Sequence, residues 1–368
     1  MHIPFLDLRR QYDLLKPELD QVVAEVMSEA SFVGGERVAA FERAFAEEHA
    51  VKHCVGTGNA TDALLILLKA LGVGVGDEVL VPSHGWLSAA EMVSLTGARP
   101  VFVDVNAESY CMDVDAARQK VSKSTKAIIP IHLYGQMADM TELLTLAQAL
   151  DIPVIEDAAQ AHFASQNGKM AGSQGLAGVF SFYPSKLLGA MGDGGCITTN
   201  DDQLAAKCRA IANHGGEAKN EHKLTGLNSR LDTLQAAVLH AKLKHIDDWI
   251  TARNHIAGFY TRAFEELAAV TTPQIMTGNS HNFHIYAVRA KRRNELKTFL
   301  ADAGIHTEIH YPLATPFTEA YAQLGHKTAD LPVSAQLQEE LLSLPIFATI
   351  THPEVTYIAD KIREFYVS

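Results

Sequence analysis

The sequence predicts an α/β fold with a mostly parallel central sheet, helices on both of its faces and a smaller C-terminal α+β domain. Short runs rich in Val, Ile and Phe alternate with helical patterns from about residue 50 to residue 212. This alternation is typical of βαβ units, which place helices on both faces of a parallel sheet. The chain has 368 residues, which is enough for one large core and a smaller domain.

The predicted strands share an apolar interior and are bounded by Gly, Pro, Asn or Asp. They lie at residues 78–82, 100–105, 127–132, 153–156, 178–182 and 196–199. The predicted helices between them have apolar residues recurring at intervals of three and four. They lie at residues 61–71, 88–96, 139–150 and 201–213.

The chain is interpreted as three parts: an N-terminal helical arm (1–25), a large α/β domain (26–245) and a small α+β domain (246–368). One long helical pattern from Leu231 to about Leu267 would link the two domains, because apolar residues recur there at helical spacing. In the small domain, the patterns predict a strand at residues 282–290 and helices at residues 292–303, 334–342 and 353–366.

Composition excludes several classes of function. The formal net charge is -12, which argues against nucleic-acid binding because that requires a basic surface. The four cysteines have neither C-x-x-C spacing nor a neighbouring His cluster, so they predict free thiols in a reducing cytoplasm and no metal site. No apolar run approaches the roughly 20 residues that a membrane span requires, and the N-terminus lacks a signal peptide.

Two residues with distinctive chemistry follow predicted strands, where open α/β sheets bind ligands. Asp157 comes after the apolar run 152–156. A buried carboxylate needs a cationic partner, and a protonated pyridine ring that accepts electrons would provide one. A helix N-cap explains Asp157 equally well. Lys186 follows the strand 178–182, and a lysine in a cleft can become an amine that forms a Schiff base with an aldehyde cofactor. A solvated surface lysine is the alternative.

Two further features are compatible with a flat, phosphorylated ligand. The segment 56–64 has small and hydroxyl residues at a helix start, where exposed amides and the helix dipole favour an anion. A plain helix cap by Asn59 or Thr61 is the alternative. Trp86 follows the strand 78–82 and could stack on a heterocycle, although a core or rim tryptophan is also compatible with the sequence.

Taken together, the segments resemble the DegT/DnrJ/StrS group of nucleotide-sugar aminotransferases, within fold-type I of the pyridoxal-phosphate enzymes. The resemblance covers nearly the whole chain. Its most specific part is the ordered set EDAAQAH (156–162), SFYPSK (181–186) and NSRLDTLQAA (228–237). The resemblance implies pyridoxal 5'-phosphate as the cofactor.

The resemblance also implies a role for each matching residue. Lys186 would hold the cofactor as a Schiff base and carry the proton, Asp157 would bind the pyridine nitrogen, and Gln160 would lie near the ring hydroxyl. Trp86 would stack on the ring in place of the more usual Phe or Tyr. The positions that match phosphate-binding residues are Asn59, Ala60, Thr61 and Ser181. Asn228 would reach the phosphate of the neighbouring subunit's cofactor, which implies a homodimer with shared sites.

This sequence departs from the family pattern at two places. Ala60 stands where the family usually has Gly, so we expect the loop to keep ordinary dihedral angles or to be mildly strained. The segment His84-Gly85-Trp86 replaces the more usual Asn-Thr-Phe, which puts a titratable group near the site.

The implied reaction is transamination of a nucleotide-linked keto-sugar, a 3-keto or 4-keto hexose, with L-glutamate as the amino donor, for amino-sugar biosynthesis. Lys186 favours transamination, because family members with His at that position dehydrate sugars. Arg230 and His310 are candidate contacts for the donor carboxylate or the sugar phosphates. Two alternatives are a cyclitol or other cyclic ketone as substrate, and a non-catalytic regulatory protein that binds pyridoxal phosphate.

Overall fold

The computed structural model of the protein describes residues 1–218 and 221–367. The described α-helices are α1 (Leu8–Glu29), α2 (Glu36–Glu48), α3 (Ala60–Ala70), α4 (Ser88–Leu95), α5 (Val114–Lys120), α6 (Met140–Leu150), α7 (Asp202–Ala212), α8 (Thr233–Leu243), α9 (Ile246–Phe264), α10 (Arg293–Asp302), α11 (Pro332–Glu340) and α12 (His352–Val367). The described strands are β1 (His53–Thr57), β2 (Glu78–Pro82), β3 (Arg99–Val103), β4 (Thr125–Ile128), β5 (Ile155–Asp157), β6 (Ser165–Gln166), β7 (Lys169–Met170), β8 (Ala177–Ser181), β9 (Gly195–Thr199), β10 (Gly216–Ala218), β11 (Glu221–His222), β12 (Val270–Thr271), β13 (Tyr286–Ala290) and β14 (Leu341–Leu344).

The central sheet has the strand order β1-β9-β8-β5-β4-β2-β3. Two hydrogen-bonded halves, β1-β9-β8-β5 and β4-β2-β3, are joined by the parallel bridges Ile128–Val154 and Ile131–Asp157. β9 runs antiparallel to both β1 and β8, and the other neighbouring strands are parallel. Every residue of β8 and β9 is buried, so both faces of the sheet are covered there. The predicted mostly parallel α/β sheet is confirmed.

Side-chain caps fix the start of several helices beside this sheet. Asn59 Oδ1 accepts a hydrogen bond from the Asp62 amide at 2.7 Å at the start of α3, and Asp201 Oδ1 accepts one from the Leu204 amide at 2.9 Å at the start of α7. Such caps satisfy amides that a helix leaves free at its first turn. The predicted helices 61–71, 139–150 and 201–213 accordingly match α3, α6 and α7 to within one residue.

Two predictions about the second half of the chain are wrong. The single helix from Leu231 to Leu267 is two helices, α8 and α9, which are separated at residues 244–245. The last turn of α8 contains basic residues, and the first turn of α9 contains acidic residues. Charges of these signs stabilise a helix C-terminus and a helix N-terminus, so they favour separate helices here. The end of the predicted helix 334–342 belongs instead to β14, which pairs with β13.

Among the elements that the pattern did not predict are α2, β1 and α5. The strand β1 contains Gly56, which weakens the strand signal. It still forms an edge of the central sheet, because Gly56 pairs with Cys196 of β9. The helix α5 spans only 7 residues, which is too short for a clear helical period.

The apolar side chains form two main clusters. The larger cluster lies around the central sheet, and the second is built from α9, α10, α12, β13 and β14 together with Ile3. Helix α1 packs through Leu19 on Val238 and Ala241 of α8. All four cysteines are buried and free. The predicted domain boundaries after residues 25 and 245 stay predictions. No helix among the described residues has the length and apolar character to cross a membrane.

Candidate active site

The ends of β5 and β8 bring the two principal candidate residues to one edge of the sheet. Asp157 is the last residue of β5, and β5 pairs in parallel with β8, with Asp157 opposite Val179. After β8 the chain turns back, and the Lys186 amide donates a hydrogen bond to the Tyr183 carbonyl at 2.8 Å. This turn places Lys186 beside the strand ends, where the electrostatic influence of Asp157 reaches it.

Asp157 is a buried carboxylate with few donors around it. Its side chain belongs to a residue only 4% exposed, and Oδ1 accepts a hydrogen bond from the Ala159 amide at 3.1 Å. Burial raises its pKa, and the Ala159 amide, Lys186 and His132 oppose this shift. The residues after Asp157 form turns, so it does not cap a helix. A cationic N–H partner would stabilise this carboxylate further.

Lys186 is the amine of the site. Burial lowers its pKa to about 8, against the opposing attraction of Asp157. In a substantial fraction of molecules the Lys186 amine is therefore neutral near physiological pH, whereas a solvated lysine is almost fully protonated. Burial, and then Lys186 itself, lowers the pKa of His310 to about 4. The structure thus brings Lys186, Asp157 and His310 into one electrostatic group.

Gln160, Tyr311 and Trp86 form one wall of the site. Gln160 Oε1 accepts a hydrogen bond from the Tyr134 amide at 2.7 Å, and Gln160 Nε2 donates one to the Tyr311 hydroxyl at 2.9 Å. The Tyr311 and Trp86 rings lie with their centroids 5.8 Å apart. The Trp86 side chain is 55% exposed, which excludes the core-tryptophan alternative. Tyr311 was missed in the sequence, although it directly follows His310.

The two candidate histidines differ in how open they are. His84 is fully buried, and its Nε2 lies 3.0 Å from the Tyr134 hydroxyl. Burial lowers the pKa of His84 to about 4, so it stays neutral at physiological pH. His310 is partly buried, and its Nδ1 lies 2.9 Å from Ser343 Oγ. The Tyr134 hydroxyl also donates to the His310 carbonyl, which connects the two segments.

The predicted phosphate positions come together at the start of α3. Asn59 caps the helix through Asp62, while the amides of Ala60 and Thr61 find no acceptor in the part of the chain that the structure describes. Ala60 lies in the helix without a positive φ, so the expectation of ordinary dihedral angles is confirmed. Two free amides at a helix N-terminus form an anion site.

Gly195 brings the fourth phosphate position to the same place. It pairs with Ser181 across β8 and β9, and a Cβ on Gly195 would lie 2.5 Å from the Asn59 carbonyl carbon. Because Gly195 has no side chain, β9 can approach the loop before α3 closely. Ser181 and Asn59 are therefore both neighbours of Gly195.

Asn228 and Arg230 flank Ser229, whose Oγ accepts a hydrogen bond from the Gly58 amide at 3.0 Å beside the predicted phosphate loop. Both are exposed, and Asn228 forms an isolated bridge with Asn213, to which Arg230 Nη1 also donates a hydrogen bond at 2.9 Å. Arg230 lines an open cavity of about 500 Å³, together with Glu42 and Arg209, and Lys186 does not line it. Within one chain, the structure does not bring Arg230 together with Lys186.

Sequence reasoning also missed the group that anchors β5. Glu156 is fully buried and accepts hydrogen bonds from the amides of Gly172, Gln174 and Gly175 at 2.7–2.9 Å. Its Oε2 also lies 2.8 Å from His132 Nε2. His132 Nδ1 accepts from the Ala138 amide, so the ring proton is on Nε2 and points at the carboxylate. Four donors thus fix the residue next to Asp157.

The chain is similar to known proteins over nearly its whole length. Residues 13–363 match the model of the DegT/DnrJ/EryC1/StrS aminotransferase family. The chain is 45% identical over 368 residues to a "pleiotropic regulatory protein" of Geobacillus stearothermophilus, covering 100% of this chain and 99% of the relative. It is 37% identical over 363 residues to the dTDP-3-amino-3,4,6-trideoxy-alpha-D-glucose transaminase of Streptomyces venezuelae, covering 99% and 96% of the two chains.

Solved structures show the same fold over the whole chain. The S. venezuelae DesV protein in complex with a ketimine intermediate superposes with a TM-score of 0.98 at 37% identity, covering 100% of this chain and 99% of that one. The Bacillus subtilis NtdA protein with bound cofactor PMP superposes with a TM-score of 0.93 at 27% identity, covering 100% and 86%.

The residues present fit pyridoxal phosphate group by group. Its aldehyde matches the amine of Lys186, its ring nitrogen matches the buried carboxylate of Asp157, and its phosphate matches the free amides of Ala60 and Thr61. The chain belongs to the DegT/DnrJ/EryC1/StrS aminotransferase family and is a pyridoxal-phosphate-dependent aminotransferase.

Proposed function

We propose that this aminotransferase moves an amino group from L-glutamate to a nucleotide-linked keto-sugar, a 3-keto or 4-keto hexose, in cytoplasmic amino-sugar biosynthesis. The observation that carries the proposal is the pair of Lys186, with a pKa lowered to about 8, and the buried Asp157 at the same strand ends. The names of relatives support the substrate class, since one is a dTDP-amino-sugar transaminase and another acts on UDP-N-acetyl-3-dehydro-alpha-D-glucosamine.

In this proposal each side chain of the site holds one part of the cofactor. Asp157 binds the ring nitrogen, Gln160 lies near the ring hydroxyl, and Trp86 stacks on the ring. Ser181 and the first turn of α3 bind the phosphate. When bound, pyridoxal phosphate supplies an aldehyde that carries the amino group and a ring that accepts electrons.

The chemical work of the chain is proton transfer by Lys186. In the first half-reaction its neutral amine accepts a proton at Nζ from the carbon of the amino donor. In the second half-reaction Nζ returns a proton to the carbon of the keto-sugar. The pKa of about 8 suits both directions near neutral pH, because neither the charged nor the neutral form is rare. Asp157 would pair with the protonated ring nitrogen when the cofactor is bound, and this pairing would favour both the ionised carboxylate and a ring that accepts electrons.

Contacts for the substrates are proposed at two places. His310 lies in the electrostatic range of Lys186 and is a candidate contact for the donor carboxylate or the sugar. Arg230 faces a separate cavity in its own chain, so its charge would serve a neighbouring subunit or the nucleotide phosphates.

A homodimer with shared sites would explain why large apolar side chains are exposed around the N-terminal arm. Large apolar side chains of α1 and the loop after it are exposed, among them Leu14 (70%), Met27 (59%) and Val33 (57%). Apolar groups so arranged favour a subunit interface. Asn228 is exposed as well, which suits a residue that reaches the cofactor phosphate of the neighbouring subunit.

Mixing two inactive variants tests the shared site. A Lys186→Ala chain and an Asn228→Ala chain can combine into one dimer in which one site has both Lys186 and Asn228. We expect activity to return on mixing if Asn228 serves the neighbouring subunit. If Asn228 serves its own chain, both sites stay defective and the mixture stays inactive.

The name of the 45% identical relative, a "pleiotropic regulatory protein", supports the regulatory alternative. The paired Lys186 and Asp157 favour catalysis in this chain. Incubation of the loaded protein with L-glutamate separates the two, because an aminotransferase releases one equivalent of 2-oxoglutarate per site. A regulatory protein without turnover releases none.

The substrate itself is tested with a panel of nucleotide keto-sugars that vary in ketone position and in nucleotide (UDP, TDP and GDP). We expect amino-sugar formation with a 3-keto or 4-keto hexose on a pyrimidine nucleotide. Turnover of a cyclitol ketone in place of every nucleotide sugar would contradict the proposed substrate class but not the aminotransferase activity.

A further inference from the structure

A buried carboxylate outside the site joins the segments that carry Trp86 and Tyr311, the two aromatic residues of one wall of the site. Asp104, which directly follows β3, is 9% exposed. It accepts hydrogen bonds from the amides of Val333 and Ser334, both at 2.9 Å, and from Ser334 Oγ at 2.7 Å. The N-cap residue of α11, Leu331, has no side-chain cap, so Asp104 caps this helix from a distant part of the chain.

The same cluster holds the loop that carries Trp86. Ser334 Oγ lies 2.6 Å from Ser83 Oγ, and both residues are fully buried. Ser83 directly follows β2 and stands three residues before Trp86. A shift of Ser83 would therefore move the Trp86 loop directly.

The cluster also holds the segment that carries Tyr311. The Ser83 carbonyl accepts a hydrogen bond from the Thr315 amide at 3.0 Å, and Thr315 is 4% exposed. Helix α11 makes a second contact with this segment, because Gln338 Oε1 accepts from the Ala314 amide at 2.9 Å. The segments that carry Trp86 and Tyr311 are thus both hydrogen-bonded to α11, and Asp104 caps the first turn of that helix.

We propose that Asp104 is a positioning residue that sets the spacing between Trp86 and Tyr311. The two ring centroids lie 5.8 Å apart, and Tyr311 in turn contacts Gln160. Loss of the carboxylate removes the cap of α11 and the acceptor of Ser334, so the contacts of α11 with the Trp86 and Tyr311 segments loosen together. The inference rests on the proposed stacking of Trp86 on the cofactor.

The test measures how tightly pyridoxal phosphate binds and how Trp86 responds. The chain contains 2 tryptophans, so a Trp249→Phe background leaves the emission of Trp86. In this background we expect Asp104→Ala, which removes both oxygen acceptors, to weaken cofactor binding by between about tenfold and a hundredfold, as misplacement of a binding group does. We also expect a smaller quenching of Trp86 emission when the cofactor saturates the protein.

Two more variants separate positioning from stability. Ser83→Ala cuts the link to the Trp86 loop but keeps the cap of α11, and we expect weaker cofactor binding and less quenching with a small loss of Tm. Asp201→Ala removes the cap of α7, and we expect a lower Tm with unchanged binding.

The outcomes are distinct. Unchanged cofactor affinity and quenching in Ser83→Ala, or in a folded Asp104→Ala protein, overturns the inference. If the parent protein itself binds no pyridoxal phosphate at Lys186, the proposed function fails first, and the result is visible without any Asp104 variant.

Discussion

Lys186 and Lys242 have the same lowered pKa in very different surroundings. Burial lowers the pKa of each amine to about 8. Lys186 lies at the strand ends within the influence of Asp157. Lys242 instead donates to the Gly189 carbonyl at 2.7 Å and to Gln11 Oε1 at 3.4 Å, and burial is the cause of its shift. A lowered pKa therefore reports burial, and the groups around the amine decide whether it has a catalytic role.

Replacement of each lysine should give the largest contrast. We expect Lys186→Ala to fold and to lose turnover by at least about 10⁴-fold, because the covalent partner of the cofactor and the proton carrier are both removed. Lys242→Met should keep turnover within about tenfold and lose about 1–3 kcal/mol of unfolding free energy, since the Gly189 carbonyl loses its donor. Steady-state kinetics and denaturant unfolding measure the two effects. A larger loss of turnover in Lys242→Met would break the comparison.

The neighbouring carboxylates Asp157 and Glu156 extend the comparison to the two faces of β5. We expect Asp157→Asn to lower turnover by about 10²–10⁴-fold while the cofactor-free protein keeps its stability, because burial alone disfavours that charge. Cofactor-free stability is measured by urea unfolding, and turnover by 2-oxoglutarate release.

Glu156→Gln should act in the opposite way. The carboxylate accepts hydrogen bonds from three amides and His132, so we expect a loss of about 3–5 kcal/mol in unfolding free energy. Turnover per folded molecule should fall far less than in Asp157→Asn. Equal effects on stability in the two variants would show that the faces of β5 do not differ as described.

The pH dependence sharpens the comparison of the lysines. The neutral amine captures the cofactor, so the capture rate of the cofactor-free protein should rise about tenfold per pH unit and level off above a pH of about 8. Stopped-flow absorbance of the bound cofactor measures this rate. A rise that continues toward the ordinary lysine value of 10.5 would mean that Lys186 is solvated.

The smallest effect is expected at the stacking residue. Trp86→Phe keeps an aromatic face of smaller area, so cofactor affinity should fall by about 1 kcal/mol, close to fivefold. Trp86→Ala should cost more than Trp86→Phe in the same binding titration. Equal affinities for all three proteins would remove Trp86 from the site.

The local pattern of the sequence predicted the sheet and its flanking helices well, because buried strands and capped helices carry strong local signals. It failed at residues 244–245, where two helices meet without Gly or Pro. Lys186 and Asp157 were found because each follows a strong apolar run. Tyr311, Glu156 and Asp104 were missed, because their roles depend on partners more than 15 residues away in the chain. Such long-range hydrogen bonds leave no periodic pattern in the sequence.

The central claim is that the amine of Lys186 is the one that bonds to the cofactor. Borohydride reduction of freshly loaded protein, followed by peptide mass mapping, tests it directly. We predict the added cofactor mass on the peptide that contains Lys186, in the segment SFYPSK, and an unmodified peptide around Lys242. A reduced adduct on Lys242, or its absence from Lys186, would contradict the assignment.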